Sequence, residues 1–373
     1  MLFIVLPGDS LRLSPWSSSI EAMAPPEPAD EIAGEPAYKI ALDRVIYLLD
    51  RDLAPVQKVR AFLRGRSILD ELAAERGEEA VEDLARSGRL TSLEGIGQSI
   101  EAVVVGAYGG PTDYVDDLES STTIDIGPGA DIRRLLKGDC HSHSTWSDGG
   151  AELRTMAQAA RDLGHEYLVA TDHSARLTVA HGLSPERLSQ QMDEINALNE
   201  EMAPFRILTG MEVDILDDGR LDLPDEFLAE LDVVIASVHH RIHQKSGEMT
   251  KRLVRAVAHP HIDILGHCTN RKVLGNKRKP SQFDADFVFA ACAQFNTAVE
   301  INCRPERQDP PEELLELALE WDCRISIDSD AHAPGQLEWV NYGCDKAAEA
   351  GIEPDRILNA RSADDLLDLL VPA

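Results

Sequence analysis

Residues 138–143 read GDCHSH and run on as STWSDG to Gly149, placing two histidines one position apart and Asp148 five residues further on. Alternate residues of a strand share a face, so His141 and His143 can reach one ion together if this stretch is the end of a strand. A solvated polar tract would need no such spacing. The choice between the two turns on what the other strand ends carry. Short apolar runs recur at 167–173 (YLVATDH), 207–213 (ILTGMEV), 233–239 (VVIASVH), 262–267 (IDILGH), 298–303 (AVEINC) and 325–332 (ISIDSDAH). Amphipathic stretches separate them. In 151–163, for example, Leu153, Met156, Ala157, Ala160 and Leu163 form one face before Gly164 ends the turn. Seven strand-and-helix units in residues 136–373 predict a parallel α/β barrel, with a doubly wound open sheet as the alternative.

In a parallel barrel the C-terminal strand ends form one rim, which brings distant residues together. The His, Asp and Glu residues at those ends are His141, His143, Asp148, His173, Glu212, His239, His267, Asp330 and His332. Nine candidate ligands exceed the needs of one ion, and a carboxylate such as Glu212 can bridge two. Clusters of this kind flank a water that they deprotonate near neutral pH, and they clamp the oxygens of a phosphoester. Imidazole and carboxylate without thiolate favour Zn, Mn or Fe.

Around this region the 373-residue chain is acidic, with a net charge of -30, which argues against a general nucleic-acid-coating surface. The charge is uneven. Residues 37–108 hold 10 basic and 12 acidic side chains, whereas 109–373 hold 25 and 48. If nucleic acid is a partner, the first segment is the better handle, and binding there would be weak and salt-sensitive. No run approaches the roughly 18 to 20 apolar residues of a membrane span, and MLFIVLPGDS lacks the length and basic flank of a secretory signal. A cytoplasmic location is expected. The six cysteines (140, 268, 292, 303, 323 and 344) form no CxxC pair and read as small buried residues in a reducing compartment. Residues 1–36 have no helical or strand period and read as a disordered leader, with Met23 as an alternative start.

Residues 37–110 read as a small all-α domain. Leu42, Val45, Ile46 and Leu49 have helical spacing, and further helices are expected at about 55–64, 67–75 and 78–86. In LTSLEGIGQSIEAVV, Gly95 and Gly97 flank Ile96 between two apolar runs, as in a tight turn between helices. Amides at such a turn can hold a phosphate at a helix N-terminus. Lys58, Arg60, Arg64 and Arg66 supply nearby positive charge. Residues 111–135 mix Gly, Pro, Thr and Asp without a period and read as a linker.

The ordered motifs HSHSTWSDG, TDHS, GMEVDI, SVHH, DILGHCTNR, VEINCRPER and SDAH together resemble the polymerase-and-histidinol-phosphatase (PHP) phosphoesterase superfamily. They are similar to the PHP domain of bacterial family X DNA polymerases. The resemblance covers about residues 136–370. It implies a distorted seven-stranded (β/α)7 barrel with three divalent metal ions. By position it implies that His141, His143, Glu212 and Asp330 hold the first ion. His239 and His267 would hold the second, with Glu212 bridging, and Asp148, His173 and His332 the third. PVQKVRAFLRG and LTSLEGIGQSIEAVV resemble the helix-hairpin-helix domain that binds DNA ends in the same polymerases. The polymerase palm that should follow is replaced by the linker. The resemblance therefore implies phosphoester hydrolysis at DNA 3′ ends, as a 3′-5′ exonuclease or 3′ phosphatase in repair, without polymerisation. A histidinol-phosphatase-like enzyme and a non-catalytic DNA-binding accessory protein are the alternatives.

Other polar residues near the rim have quieter readings. Arg271, Arg304 and Arg307 follow the fifth and sixth strands, where guanidinium forks grip a substrate phosphate or simply form surface ion pairs. Asp172 and Asp328 flank ligands and should orient an imidazole or cap a loop. His181, His240 and His243 lie near the rim without a ligand slot. His259 and His261 spell His-x-His but precede a strand, which puts them on the opposite face.

Overall fold

In a computed structural model that describes residues 34–370, α1 (Ala37–Arg51) buries Tyr38, Leu42, Val45, Leu48 and Leu49, the spacing of one helical face. The expected leader and the alternative start at Met23 lie outside the described residues, apart from 34–36. Helix α2 (Val56–Arg76) runs through both stretches read as separate helices. Gly65 does not break it, because Ile100 presses on the space where a side chain would be: a Cβ at this position would lie only 2.8 Å from the Ile100 Cδ1. The helix-interior cost of a glycine, about 1 kcal/mol, is offset by that close packing. After α3 (Glu78–Arg86) a 3-10 turn (Leu90–Ser92) leads into the 93–97 loop and α4 (Gln98–Ala107).

Residues 111–135, read as a linker, instead hold α5 (Asp113–Thr122) and α6 (Ala130–Leu135). Tyr114, Val115 and Leu118 of α5 join the helical core, while Ile132 and Leu136 join the barrel core. Asp and Ser residues on the outer face of α5 mask a short apolar stripe in the sequence.

The barrel follows. Its strands are β1 (Gly138–Ser142), β2 (Tyr167–Ala170), β3 (Arg206–Asp214), β4 (Val233–Ser237), β5 (Ile264–Leu265), β6 (Ala298–Asn302) and β7 (Ile325–Asp328). They lie in sequential order, and every neighbouring pair is parallel. Between them run α7 (Leu153–Asp162), α8 (Pro185–Met202), α9 (Asp225–Leu228), α10 (Ser246–Val257), α11 (Ala285–Phe295) and α12 (Glu312–Glu320). The open-sheet alternative fails at the ends of the sheet. Ser142 bridges Ala331, and the His143 amide donates to the Ala331 carbonyl at 2.8 Å, so the first and last strands meet. A 3-10 segment (Pro334–Trp339), α13 (Val340–Glu349) and α14 (Ala363–Leu370) complete the chain. All six cysteines are buried and unpaired. No helix among the described residues is long and apolar enough to cross a membrane.

The helical region docks on the barrel through α1. Tyr47 donates its hydroxyl proton to Glu338 at 2.6 Å, Arg51 pairs with the same carboxylate at 2.9 Å, and the Trp339 indole donates to the Arg51 carbonyl at 2.9 Å. Gly335 permits this approach, since a Cβ there would sit 2.0 Å from the Tyr47 carbonyl oxygen.

His165, just before β2, is buried with neither ring nitrogen hydrogen-bonded, and burial followed by the nearby Arg133 charge pushes its pKa down to about 3. The folded protein thus holds it neutral, whereas the unfolded chain protonates it near 6.5. Its contribution is intact above pH 6.5 and is lost as pH falls toward 3, by about 1.4 kcal/mol per unit. Between pH 7 and pH 5, His165→Leu is expected to lose about 2 kcal/mol less stability than the wild type in urea unfolding. Equal losses in the two proteins would refute this.

Candidate metal centre

Strand β1 delivers His141 and, one alternation later, His143 to the same side, and β3 delivers Glu212 opposite them. The loops after β2, β4 and β5 bring His173, His239 and His267, and the segment after β7 brings Asp330 and His332. Asp330 adopts φ 52°, a left-handed conformation uncommon outside glycine, and it does so within the cluster. All nine candidate ligands converge, with Glu212 at the middle. Its Oε2 lies 3.4 Å from His141 Nε2, 3.6 Å from His143 Nε2 and 2.8 Å from His173 Nδ1. Its Oε1 lies 3.3 Å from His239 Nε2 and 2.8 Å from His267 Nε2. Asp148 Oδ1 sits 3.5 Å from His173 Nε2 and 3.4 Å from His332 Nε2.

Several of these separations are long for hydrogen bonds. They match a different geometry. Four ligands at about 2.05 Å around a tetrahedral ion stand about 3.3 Å from one another. The buried Nε2 atoms of His141 and His239 and both ring nitrogens of His143 have no hydrogen-bond partner. Buried donors or acceptors left bare in this way are costly unless something else takes them up. Three sets bring their donor atoms within 4.8 Å of one another: His141, His143 and Asp330; His173, Glu212 and His239; and His143, Asp148, His173 and His332. The donor set therefore fits more than one divalent ion. His143 and His173 each fall in two sets, a finer overlap than the implied assignment anticipates.

The charge states of two carboxylates and three imidazoles suit ligation, whereas those of His141 and His239 do not until a proton is lost. Burial would push the carboxyls of Glu212 and Asp330 up, yet both are held well below the usual range. His239, His173 and His141 do this for Glu212, and Arg304 and His141 for Asp330. Burial lowers His173 and His332, and lowers His267 to about 3. Ionised carboxylates among neutral imidazoles are the forms that bind metal. Burial also opposes charge on His141 and His239, but Glu300 and Glu212 outweigh it at His141, and Glu212 and Asp214 raise His239 to about 9.

The barrel sequence also matches known proteins. Residues 139–304 match the family model of the PHP domain. That stretch is a PHP domain. The chain is 43% identical over 231 residues to the DNA polymerase/3'-5' exonuclease PolX of Bacillus subtilis, a match covering 62% of this chain and 40% of that protein. The chain thus spans well under half the length of that relative. A probable phosphatase of Thermoanaerobacter is 29% identical over 234 residues, covering 59% of this chain and 89% of the relative. Among solved structures, the histidinol phosphate phosphatase of Lactococcus lactis, complexed with zinc, L-histidinol and phosphate, aligns at 20% identity. That alignment has a TM-score of 0.46 and covers 58% of this chain and 95% of the other.

Behind the ligands the PHP domain places residues that the strand-end pattern did not single out. Glu300 of β6 meets His141 Nδ1 at 2.5 Å, Asp214 meets His239 Nδ1 at 2.9 Å, and Asn302 donates to Asp330 Oδ2 at 2.9 Å. Such partners fix the tautomer and orientation of ligands. Their signal was alternation: Glu212 with Asp214, and Glu300 with Asn302, each stand two apart on buried strands. Asp172 caps a loop, accepting from the amides of Ser144 and Ser147 at 2.9 and 3.0 Å. Asp328 contacts no imidazole; it accepts from the Cys140 amide at 3.0 Å and from Asn359.

Of the three arginines, the barrel turns two toward the cluster. Arg304 Nη1 is 3.6 Å from Asp330 Oδ1 and 2.8 Å from His332 Nδ1, and Arg307 Nε is 3.4 Å from Asp330 Oδ2. Arg271 is held instead by the backbone carbonyls of Arg307 and Gln308. His240 Nε2 lies 3.7 Å from Asp214, while His181 and His243 are exposed. His259 pairs with Asp225 at 3.3 Å, and neither it nor His261 joins a ligand set among the described residues.

In the helical region Lys58, Arg60 and Arg64 are exposed, whereas Arg66 pairs with Asp43 and, at 3.8 Å, with Asp70. The Lys58 ammonium also lies 5.7 Å from the Tyr114 ring centroid. Gly95 takes φ 95°, and its Cβ position is 3.5 Å from Arg64 Nε. Gly97 opens α4 with free space around it.

Proposed function

We propose that the chain is a metal-dependent phosphoesterase that processes the 3′ ends of DNA, as an exonuclease or a 3′ phosphatase. The observation that carries this is the convergence of nine candidate ligands, five imidazoles of them within 3.6 Å of the Glu212 carboxylate, with donor spacings suited to ions. His141, His143, Glu212 and Asp330 would hold one divalent ion, His239 and His267 a second shared through Glu212, and Asp148, His173 and His332 a third. Bound there, such ions supply a hydroxide at neutral pH and neutralise charge on the phosphoryl oxygens. The protein's own groups do the rest. Arg304 and Arg307 stand beside Asp330, where their guanidinium groups can fork onto the non-bridging oxygens of a phosphoester. Glu300, Asp214 and Asn302 hold the ligand side chains in orientation, so little reorganisation accompanies the reaction.

The preference for DNA rests on the helical region and on the likeness to a 3'-5' exonuclease. Exposed Arg64 beside the Gly95 turn, at the N-terminus of α4, is a suitable seat for a backbone phosphate. The likeness to a probable phosphatase, most of which aligns, keeps a small phosphomonoester as the rival substrate. The deciding experiment compares release from 3′-labelled DNA with phosphate release from histidinol phosphate, using metal-loaded protein and His143→Ala as control. Shortening of DNA or loss of a 3′ phosphate, absent in the variant, is the expected result. Turnover of the small ester alone would replace this reading with that of a metabolic phosphatase. Bound metal with no turnover of either would favour an accessory protein.

A further inference from the structure

The loop after β5 contains residues 271–279, RKVLGNKRK, with five basic side chains and no acidic one in a chain of net charge -30. It folds as a hairpin. Lys272 and Arg278 pair antiparallel, with reciprocal backbone bonds of 3.0 and 2.9 Å, and Gly275 turns the tip at φ 63°. Lys277 and Lys279 are exposed. Among the described residues no carboxylate comes within 4.0 Å of the charged end of any of the five, although acidic residues outnumber basic ones 66 to 36. Arg271 and Arg278 donate to neutral carbonyl oxygens, which leaves their charge uncompensated, and Lys277 and Lys279 are the exposed cations.

The hairpin is anchored to the metal centre. Asn270 accepts from Arg278 at 2.9 Å and from Arg307 at 3.2 Å through the same side-chain oxygen, and Arg307 in turn faces Asp330. The Val273 amide also bonds to the Glu306 carbonyl at 2.7 Å, tying the hairpin to the loop after β6. On its other side Lys272, Leu274 and Asn276 line a groove of about 540 Å³ shared with Arg51 of α1. The groove also holds two carboxylates, Asp52 and Glu306, the second paired through Oε1 with Arg304 at 3.0 Å. Half-burial and the charge of Arg307 lower the Lys272 pKa, with Arg304 and Arg278 adding to them, and together they outweigh the nearby Glu306 carboxylate.

We propose that the 271–279 hairpin is a second phosphate-binding element, holding the backbone of a nucleic-acid strand upstream of the ester that enters the metal centre. This rests on the DNA reading above. A monoester offers one phosphate, which Arg304 and Arg307 already serve, so five further cations suit an extended polyanion. Screening within about 8–10 Å at ordinary salt lets this patch attract phosphates despite the acidic barrel around it. It also moves part of the expected DNA affinity from residues 37–108 to the barrel.

The test is a full-length, metal-loaded double variant, Lys277→Glu with Lys279→Glu, and the neutral pair Lys277→Gln with Lys279→Gln. The probe is a 5′-fluorescein oligonucleotide with 3′-terminal phosphorothioate linkages, followed by anisotropy between 50 and 200 mM salt. Charge reversal should weaken binding by about ten-fold or more, and the neutral pair should weaken it less. The slope of log affinity against log salt should shrink by about 1.4, about 0.7 for each lost contact on a single strand. The ratio of kcat/KM on the unmodified oligonucleotide to that on p-nitrophenyl phosphate should fall in step. Matching thermal unfolding would verify the fold of each variant. If the variants bind with wild-type affinity and slope, the hairpin proposal is overturned and the DNA reading stands. If the wild type binds no oligonucleotide, the DNA reading falls and takes the hairpin with it.

Discussion

Glu212→Gln is expected to lower kcat/KM on any phosphoester by about 10³-fold or more, with bound metal reduced and the fold retained. The substitution conserves volume but removes the charge and turns one oxygen into a donor that cannot ligate. Both oxygens are committed: Oε1 to His239 and His267, and Oε2 to His141, His143 and His173. On the proposed assignment, losing the carboxylate strips a ligand from two ions at once and leaves five imidazoles around a neutral amide. Elemental analysis of the purified variant, alongside turnover, separates lost metal from lost chemistry. Activity within ten-fold of the wild type would rule out a bridging role for Glu212.

Trp339→Ala is expected to cost about 3–5 kcal/mol of unfolding free energy, read from urea denaturation. The indole is completely buried, lies in the barrel core cluster and donates to the Arg51 carbonyl. Its ring also lies 5.4 Å beneath the Arg304 guanidinium, which reaches Asp330 and His332. One residue thus joins the helical region, the barrel core and an arginine at the ligands. The variant should release the helical region to limited proteolysis sooner than the wild type and should raise KM for phosphoesters as Arg304 loosens. A loss under 1 kcal/mol would show that α1 is held chiefly by Tyr47 and Arg51.

The barrel was legible because its chemistry repeats. Each of seven apolar runs ends on or near a residue that an apolar interior would reject, and the rule that such ends share a rim picked out nine residues that the fold does bring together. The supporting residues were harder to see, since Glu300 and Asn302 look in sequence like ordinary polar residues of a buried strand. Only the approach of His141 and Asp330 from β1 and the end of β7 gives them a task. Helix α5 was missed because its Asp and Ser residues outweigh three apolar ones, and that apolar stripe has meaning only against α1 and α4. Net charge taken over long segments also hid the basic hairpin, whose nine residues vanish in a total of -23 for residues 109–373.

The seam between β1 and β7 gives the barrel a clasp. His141 and His143 stand on one side and Asp330 and His332 on the other, about 190 residues away along the chain. On the proposed assignment, an ion held by both sides fastens the ring at its last-made joint. A nascent chain cannot complete that site until nearly the whole barrel has been synthesised. Ion affinity then reports a finished domain, and the free energy of capture falls on the joint where the ring would otherwise open first.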